Sequence, residues 1–341
     1  MAEPSLAGPG HPRLVVLRAL GLGDLLTGVP ALRALATAFP GHALQLAAPS
    51  ALAPLVRLID PRWKLVHTAA LAPLEPVLAR PDVAVNLHGR GPQSHRVLTA
   101  ARPARLIAFR HPGVRESARG PRWLADEHEV ARWCRMLGES GVPADPTRLE
   151  LDPGHPTALP STARGATIVH PGAASRARQW PPERFAAAAR SEREAGRAVL
   201  VTGSSRERAL AEEVARRSGL RDEFVLAGRT DLAELAALVA AAGRVLCGDT
   251  GVAHLATALG TPSVVLFGPT SPAHWGPPRE RAEHVALWSG RRGDSHGERP
   301  HPGLLEIDLD DVLSALRALP ERKLRAGAAR ARSHPAAPAA R

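Results

Sequence analysis

Tyrosine is missing from this 341-residue chain, aromatic residues make up 3% of it, and only two lysines, Lys64 and Lys323, stand among its 44 Lys and Arg residues. Aromatic platforms on which nucleobases could stack are therefore scarce. Cysteine occurs twice, at Cys134 and Cys247, in no spacing that suits a metal or a redox pair. Both read as small buried hydrophobes, and a disulfide framework is excluded. The longest apolar run, near residues 232–242, falls well short of the ~20 residues of a membrane helix. The opening MAEPSLAGPGHPR is followed by LVVL, too short for the apolar core of a signal peptide. A soluble cytoplasmic protein is expected.

What the chain has in excess is positive charge, a formal +11 with a pI near 11.2. Such a balance invites a nucleic-acid reading. Its distribution argues otherwise, because residues 320–341 carry six basic side chains against Glu321 alone, a net of +5. This basic Ala/Pro/Arg tail is expected to be disordered and could touch anionic membrane surfaces.

Short apolar runs alternate with helical patterns along the rest of the chain: RLVVLRAL, ALQLAAP, KLVH, VAVNLH and RLIAF, then ATIVHP, AVLVTG, FVLAG, RVLCGD and SVVLFG, with VALW as an edge strand. Runs so uniformly apolar suit strands covered on both faces, hence parallel sheets wound with helices. Helices are predicted over 182–194, 205–217, 231–242 and 310–319. Residues 151–165, with three prolines and no periodicity, read as an interdomain linker. The organisation expected is a flexible start (1–12), a Rossmann-like domain (13–150), the linker, a second Rossmann-like domain (166–319) and the tail (320–341).

Three segments that could carry chemistry fall just after predicted strands, where open α/β sheets bind ligands. Gly21-Leu22-Gly23-Asp24 allows a tight strand-to-helix turn and delivers a carboxylate to a helix start. Two readings stay open there, a capping aspartate or a site group. It is not GxGxxG and no acidic residue ends the second strand, so a nicotinamide cofactor is disfavoured. His170 to Pro181, HPGAASRARQWP, sets small residues and two arginines at a strand end, which suits a diphosphate as well as a solvated loop. Cys247-Gly248-Asp249-Thr250-Gly251, running on to His254, offers free N–H groups and a helix dipole.

In order, GLGD, HPG…RQWP, VTGSSRE, LAGRTDLAELAAL and CGDTGVAHLATALGTPSVVLFGPTSP resemble glycosyltransferase family 9, the ADP-heptose:lipopolysaccharide heptosyltransferases. The resemblance runs from about Arg13 to Leu319. It implies a GT-B architecture, two doubly wound α/β domains facing a cleft, and inverting transfer of heptose from an ADP-sugar to a hydroxyl of a glycan or glycolipid, without cofactor or metal. It further implies Asp24 as general base, Ser175 and Arg178 at the donor phosphates, Glu207 at the ribose and Thr230 near the adenine. Asp249 would face the transferred sugar, with Thr250, Gly251 and His254 at the phosphates. Arg178 stands where the family often has lysine, which keeps the charge and adds a fork.

An alternative within enzymes is another GT-B nucleotide-sugar enzyme, such as an epimerase; outside them, a nucleotide-sugar binding protein without turnover. First-half loops 88–94 and 110–122 are expected to face the acceptor. The only Asp-x-Asp, Asp308-Leu309-Asp310, opens the last helix and reads as a cap.

Overall fold

The computed structural model describes residues 11–152 and 159–322. The expected N-terminal segment up to residue 10, six residues of the linker and nearly all of the basic tail lie outside them.

The first half builds one parallel sheet from β1 (Arg13–Leu17), β2 (Ala43–Ala48), β3 (Lys64–His67), β4 (Val83–Asn86) and β5 (Arg105–Ile107), in the order β3-β2-β1-β4-β5. Its helices are α1 (Leu22–Thr27), α2 (Val29–Ala38), α3 (Ala53–Ile59), α4 (Gln93–Ala100) and α5 (Glu129–Glu139). The second half repeats the plan with β6 (Thr167–His170), β7 (Val199–Val201), β8 (Arg244–Gly248), β9 (Ser263–Phe267) and β10 (His284–Trp288), ordered β10-β9-β8-β6-β7. Its helices are α6 (Pro182–Glu194), α7 (Arg208–Ser218), α8 (Leu232–Ala241), α9 (Gly251–Ala258), α10 (Pro272–Trp275), α11 (Pro302–Leu305) and α12 (Leu309–Ala318).

The apolar runs explain the sheets. Leu14 to Leu17 of β1 and Val245 to Cys247 of β8 have no exposed surface, as strands with helices on both faces require. Each central strand pairs in parallel with two neighbours, β1 with β2 and β4, β8 with β6 and β9. Parallel neighbours need crossovers, and the alternating helices supply them. Helix starts follow local chemistry: Asp231 Oδ1 accepts the Glu234 N–H at 2.8 Å while Glu234 Oε2 accepts the Asp231 N–H at 2.8 Å. Asp308, as expected, caps α12 by accepting the Asp311 N–H at 2.9 Å.

FVLAG departs from expectation. It is no strand, making a single parallel bridge between Val201 and Val225. A 3-10 turn over Asp222–Phe224 takes up its first residue and Gly228, at φ +70°, ends it, so the segment between skirts the β7 edge without forming a ladder.

One apolar core joins the halves, taking in Leu25, Leu55 and Trp133 from the first and Leu235, Leu255 and Phe267 from the second. Where sheet order reverses, between β1 and β4 and between β6 and β8, strand ends open toward ligand. Among the described residues no helix is long and apolar enough to cross a membrane.

Candidate active site

Asp24 lies in the first turn of α1, three residues after its N-cap Gly21, whose N–H donates to Asp24 Oδ2 at 3.2 Å. It caps the helix start from N3 rather than from the N-cap position, and the residue stays half-exposed. Beneath it is Arg18, fully buried at the end of β1. The Arg18 guanidinium donates to the Asp24 and Leu87 carbonyls and, at 2.9 Å, to Thr27 Oγ1. Glu129 stands 3.5 Å away and the Trp133 ring centroid 5.0 Å from the guanidinium carbon. Burial pulls Arg18 below its ordinary value, with Glu129 and Asp24 opposing.

The α1 turn rests directly on α9 of the other half. A Cβ at Gly251 would come within 2.8 Å of the Leu22 side chain and 3.0 Å of the Gly23 nitrogen, and one at Gly23 within 3.0 Å of His254. Glycine at both positions lets two helix starts abut. His254 is thereby drawn into the interface, edge-on to Trp275 at 5.9 Å between ring centroids. Burial, aided by nearby His128, pushes its pKa down to about 4, leaving a neutral ring. Next to it, His128 accepts the Val130 N–H on Nδ1 and donates from Nε2 to the Gly276 carbonyl at 3.0 Å, a further tie between the halves.

On the second sheet, Asp249 leaves β8 with 5% of its surface exposed. Burial raises its pKa, while Arg178 and a hydrogen bond with Thr270 pull it back. Arg178 Nη1 is 3.9 Å from Asp249 Oδ2 and 3.4 Å from its carbonyl oxygen, and its Nε is buried without a partner. A Cβ at Gly248 would meet the Arg178 carbonyl at 2.8 Å, so this loop approaches β8 only because glycine stands there.

Ser175 donates to the Ser295 carbonyl at 2.5 Å. The Ala177 N–H reaches the Gly297 carbonyl at 3.0 Å, so residues 293–301 fold across the arginine turn. A cavity of about 670 Å³ opens between Ser175 and Arg176 on one side and His296 to Pro300 on the other. Another, of about 450 Å³ between Leu74 and Val97, is lined by none of the expected site residues.

Glu207 accepts the Ser204 N–H and hydroxyl at 2.7 and 2.8 Å. Its carboxylate lies where a Cβ of Gly172 would be, 2.1 Å from Oε1, so the HPG and GSSRE turns meet. Thr230 is half-exposed two residues beyond Gly228, whose added Cβ would touch Ser205 at 2.9 Å. Behind them, buried His170 pairs with Thr202 at 3.0 Å and is held below its usual pKa by burial.

The structure thus gathers Asp24, Thr250, Gly251 and His254 at the contact between halves, Arg178 with Asp249 beside it, and Glu207 with the Thr230 turn at the β7 edge. Among the described residues no group of three His, Cys, Asp or Glu is close enough to hold a metal ion. Sequence reasoning missed Arg18, Glu129 and His128; a lone arginine inside RLVVLRAL was the available signal.

The sequence model of glycosyltransferase family 9 (heptosyltransferase) matches residues 119–299. The chain belongs to this family. Among solved structures, ADP-heptose lps heptosyltransferase II of E. coli superposes with a TM-score of 0.71 at 22% identity, over 90% of this chain and 98% of that one. The glycosyltransferase family 9 protein of Veillonella parvula DSM 2008 gives 0.71 at 19%, over 92% and 98%. E. coli heptosyltransferase WaaC, solved with ADP, gives 0.66 at 18%, over 89% and 99%. No protein of curated function matches in sequence. This family 9 chain has the GT-B fold and is a glycosyltransferase.

Proposed function

We propose that the enzyme transfers heptose from ADP-heptose to a hydroxyl of a glycan or glycolipid such as lipopolysaccharide core, with inversion and without a metal. The observation that carries this reading is the contact of the α1 and α9 starts through Gly23 and Gly251. It sets a carboxylate of one half against the phosphate-type turn of the other. The donor assignment draws on WaaC, solved with ADP and with ADP-2-deoxy-2-fluoro heptose.

The nucleophile is an alcohol, nearly as weak an acid as water at ~15.7, and an ordinary Asp sits at ~3.9. Asp24 therefore takes the proton only as the oxygen closes on the anomeric carbon. As that bond forms, the bond from the anomeric carbon to the β-phosphate oxygen breaks and ADP departs with the electron pair. Arg178, whose buried Nε lacks a partner, and the N–H groups of Thr250 and Gly251 would meet its growing charge. Ser175 and His254 would border the phosphates, Glu207 the ribose and Thr230 the adenine, with Asp249 toward the sugar. The basic C-terminal residues would contact the anionic inner face of the membrane.

A thermal-shift screen of ADP-, GDP- and UDP-sugars tests the donor. Stabilisation by ADP-heptose above the others is expected, followed by ADP release onto deacylated lipopolysaccharide that persists in excess EDTA. Preference for another base, or loss restored by Mg²⁺, would overturn the corresponding part.

A further inference from the structure

We propose that His88 is a substrate-contacting residue of this enzyme, presenting Nε2 beside Asp24 to the acceptor hydroxyl and helping to set which acceptor is taken; this rests on the transfer reaction proposed above. The sequence already set loop 88–94 toward the acceptor without giving His88 a role in it. The argument starts from topology: β4 lies next to β1, with Leu17 level with Asn86 and the Leu87 N–H on the Leu17 carbonyl at 3.1 Å. The loops leaving these two strands flank the point where strand order reverses, and they carry Asp24 and His88.

A single buried guanidinium holds both loops. Arg18 donates to the Asp24 carbonyl and to the carbonyl of Leu87, the residue just before His88. From the other side Asn86 Oδ1 accepts the His88 N–H at 2.9 Å, and Asn86 Nδ2 donates to the Gly89 carbonyl at 3.0 Å and Ser94 Oγ at 2.9 Å. The backbone carrying His88 is thus fixed relative to Asp24, which is what a positioned substrate contact needs.

The fold itself makes no use of the ring. Among the described residues, three buried histidines are each held through a ring nitrogen: His95 by the Phe109 carbonyl, His170 by Thr202 and His284, through Nδ1, by Ser263, with His284 Nε2 left bare. His88 Nδ1 is buried with none, and the ring makes no hydrogen bond among the described residues. A protonated Nδ1 there would be a buried donor without an acceptor, so the proton belongs on Nε2. The charged groups facing it agree, since burial and Arg18 hold the ring neutral while Asp24 opposes them. The acceptor oxygen then takes a hydrogen bond from His88 Nε2 while its own proton passes to Asp24; His88 keeps its proton throughout.

Two measurements test this. With ADP-heptose and deacylated lipopolysaccharide, His88→Ala should raise the acceptor KM about fivefold or more, the effect of one lost neutral hydrogen bond, with ADP affinity by calorimetry unchanged. His88→Gln, which can place an amide N–H near the same point, should recover most of it. An acceptor KM within about twofold of wild type, or equal losses for donor and acceptor, would overturn the role. Independently of any acceptor, ¹³C-histidine NMR should find His88 titrating below 6.5 and lower still in Asp24→Asn; an unmoved resonance pKa would refute the pairing. Wild-type enzyme inactive on this acceptor would count against the proposed reaction alone, and the NMR result would still decide His88.

Discussion

Asp24 and Arg178 approach the cleft from opposite halves, and their surroundings separate their duties. Asp24 is half-exposed, its backbone pinned by Arg18 and its carboxylate bound only by the Gly21 N–H, so it is free to take a proton. Asp24→Asn preserves shape and removes the proposed base; transfer should fall by about 10²- to 10⁴-fold, with ADP affinity by calorimetry within a few-fold of wild type. Arg178 keeps a buried Nε unpaired and Asp249 only distantly engaged at 3.9 Å. Arg178→Ala should weaken ADP binding by about ten- to a hundredfold, since a charge-assisted contact contributes ~1.5–3 kcal/mol. Unaltered affinity would remove Arg178 from the phosphates. At this scale the motif residues were legible in the sequence because their spacing after strands is local. Arg18, Glu129 and His128 were not, because their roles depend on β1, β4 and α5 meeting in space.

The helices and strands make the site by close approach, and glycine sets the distance. A Cβ at Gly251 would strike both the Leu22 side chain and the Gly23 backbone, so neither neighbour can yield without moving α1. Gly251→Ala should therefore cut kcat by about tenfold or more through displacement of Asp24 from the α9 start, at a stability cost of about 1–3 kcal/mol; paired kinetics and thermal melts check it. Gly172→Ala strikes only the end of the Glu207 side chain. It should swing that carboxylate aside, weakening nucleotide binding several-fold in calorimetry and lowering the melting temperature modestly through the lost Ser204 contacts. The apolar runs made all ten strands readable, together with the α6 boundaries, and added an eleventh that does not exist. FVLAG misled because apolar composition reports burial, and a segment skirting β7 between a 3-10 turn and Gly228 is as buried as a strand without pairing like one.

At the level of the whole molecule, the halves are fastened by polar ties around their shared apolar core. His274 meets Asp126 at 2.6 Å with Arg292 at 3.7 Å, and Arg281 pairs with Glu150. Stability should fall with acid through two histidines. His254 and His284 are each held at about 4, chiefly by burial, against an ordinary 6.5. The unfolded chain therefore gains protons first, and folding free energy should drop between pH 6.5 and pH 4, by about 3 kcal/mol per histidine. Calorimetric melts across that range, in wild type and His284→Gln, should show a shallower slope in the variant; parallel slopes would contradict it. Two wound sheets were legible from the alternation of strand and helix, but no local pattern disclosed which side chains span between the halves. Arg322 has a practical meaning of its own. Arg322 donates to the carbonyls of Val239, Ala240 and Ala242 behind α8 and of Leu259 behind α9, covering with one side chain acceptors that helix ends otherwise leave bare. An affinity tag or fluorescent fusion joined after residue 322 leaves that clasp intact, whereas one replacing it would loosen the far end of the helix whose start meets α1.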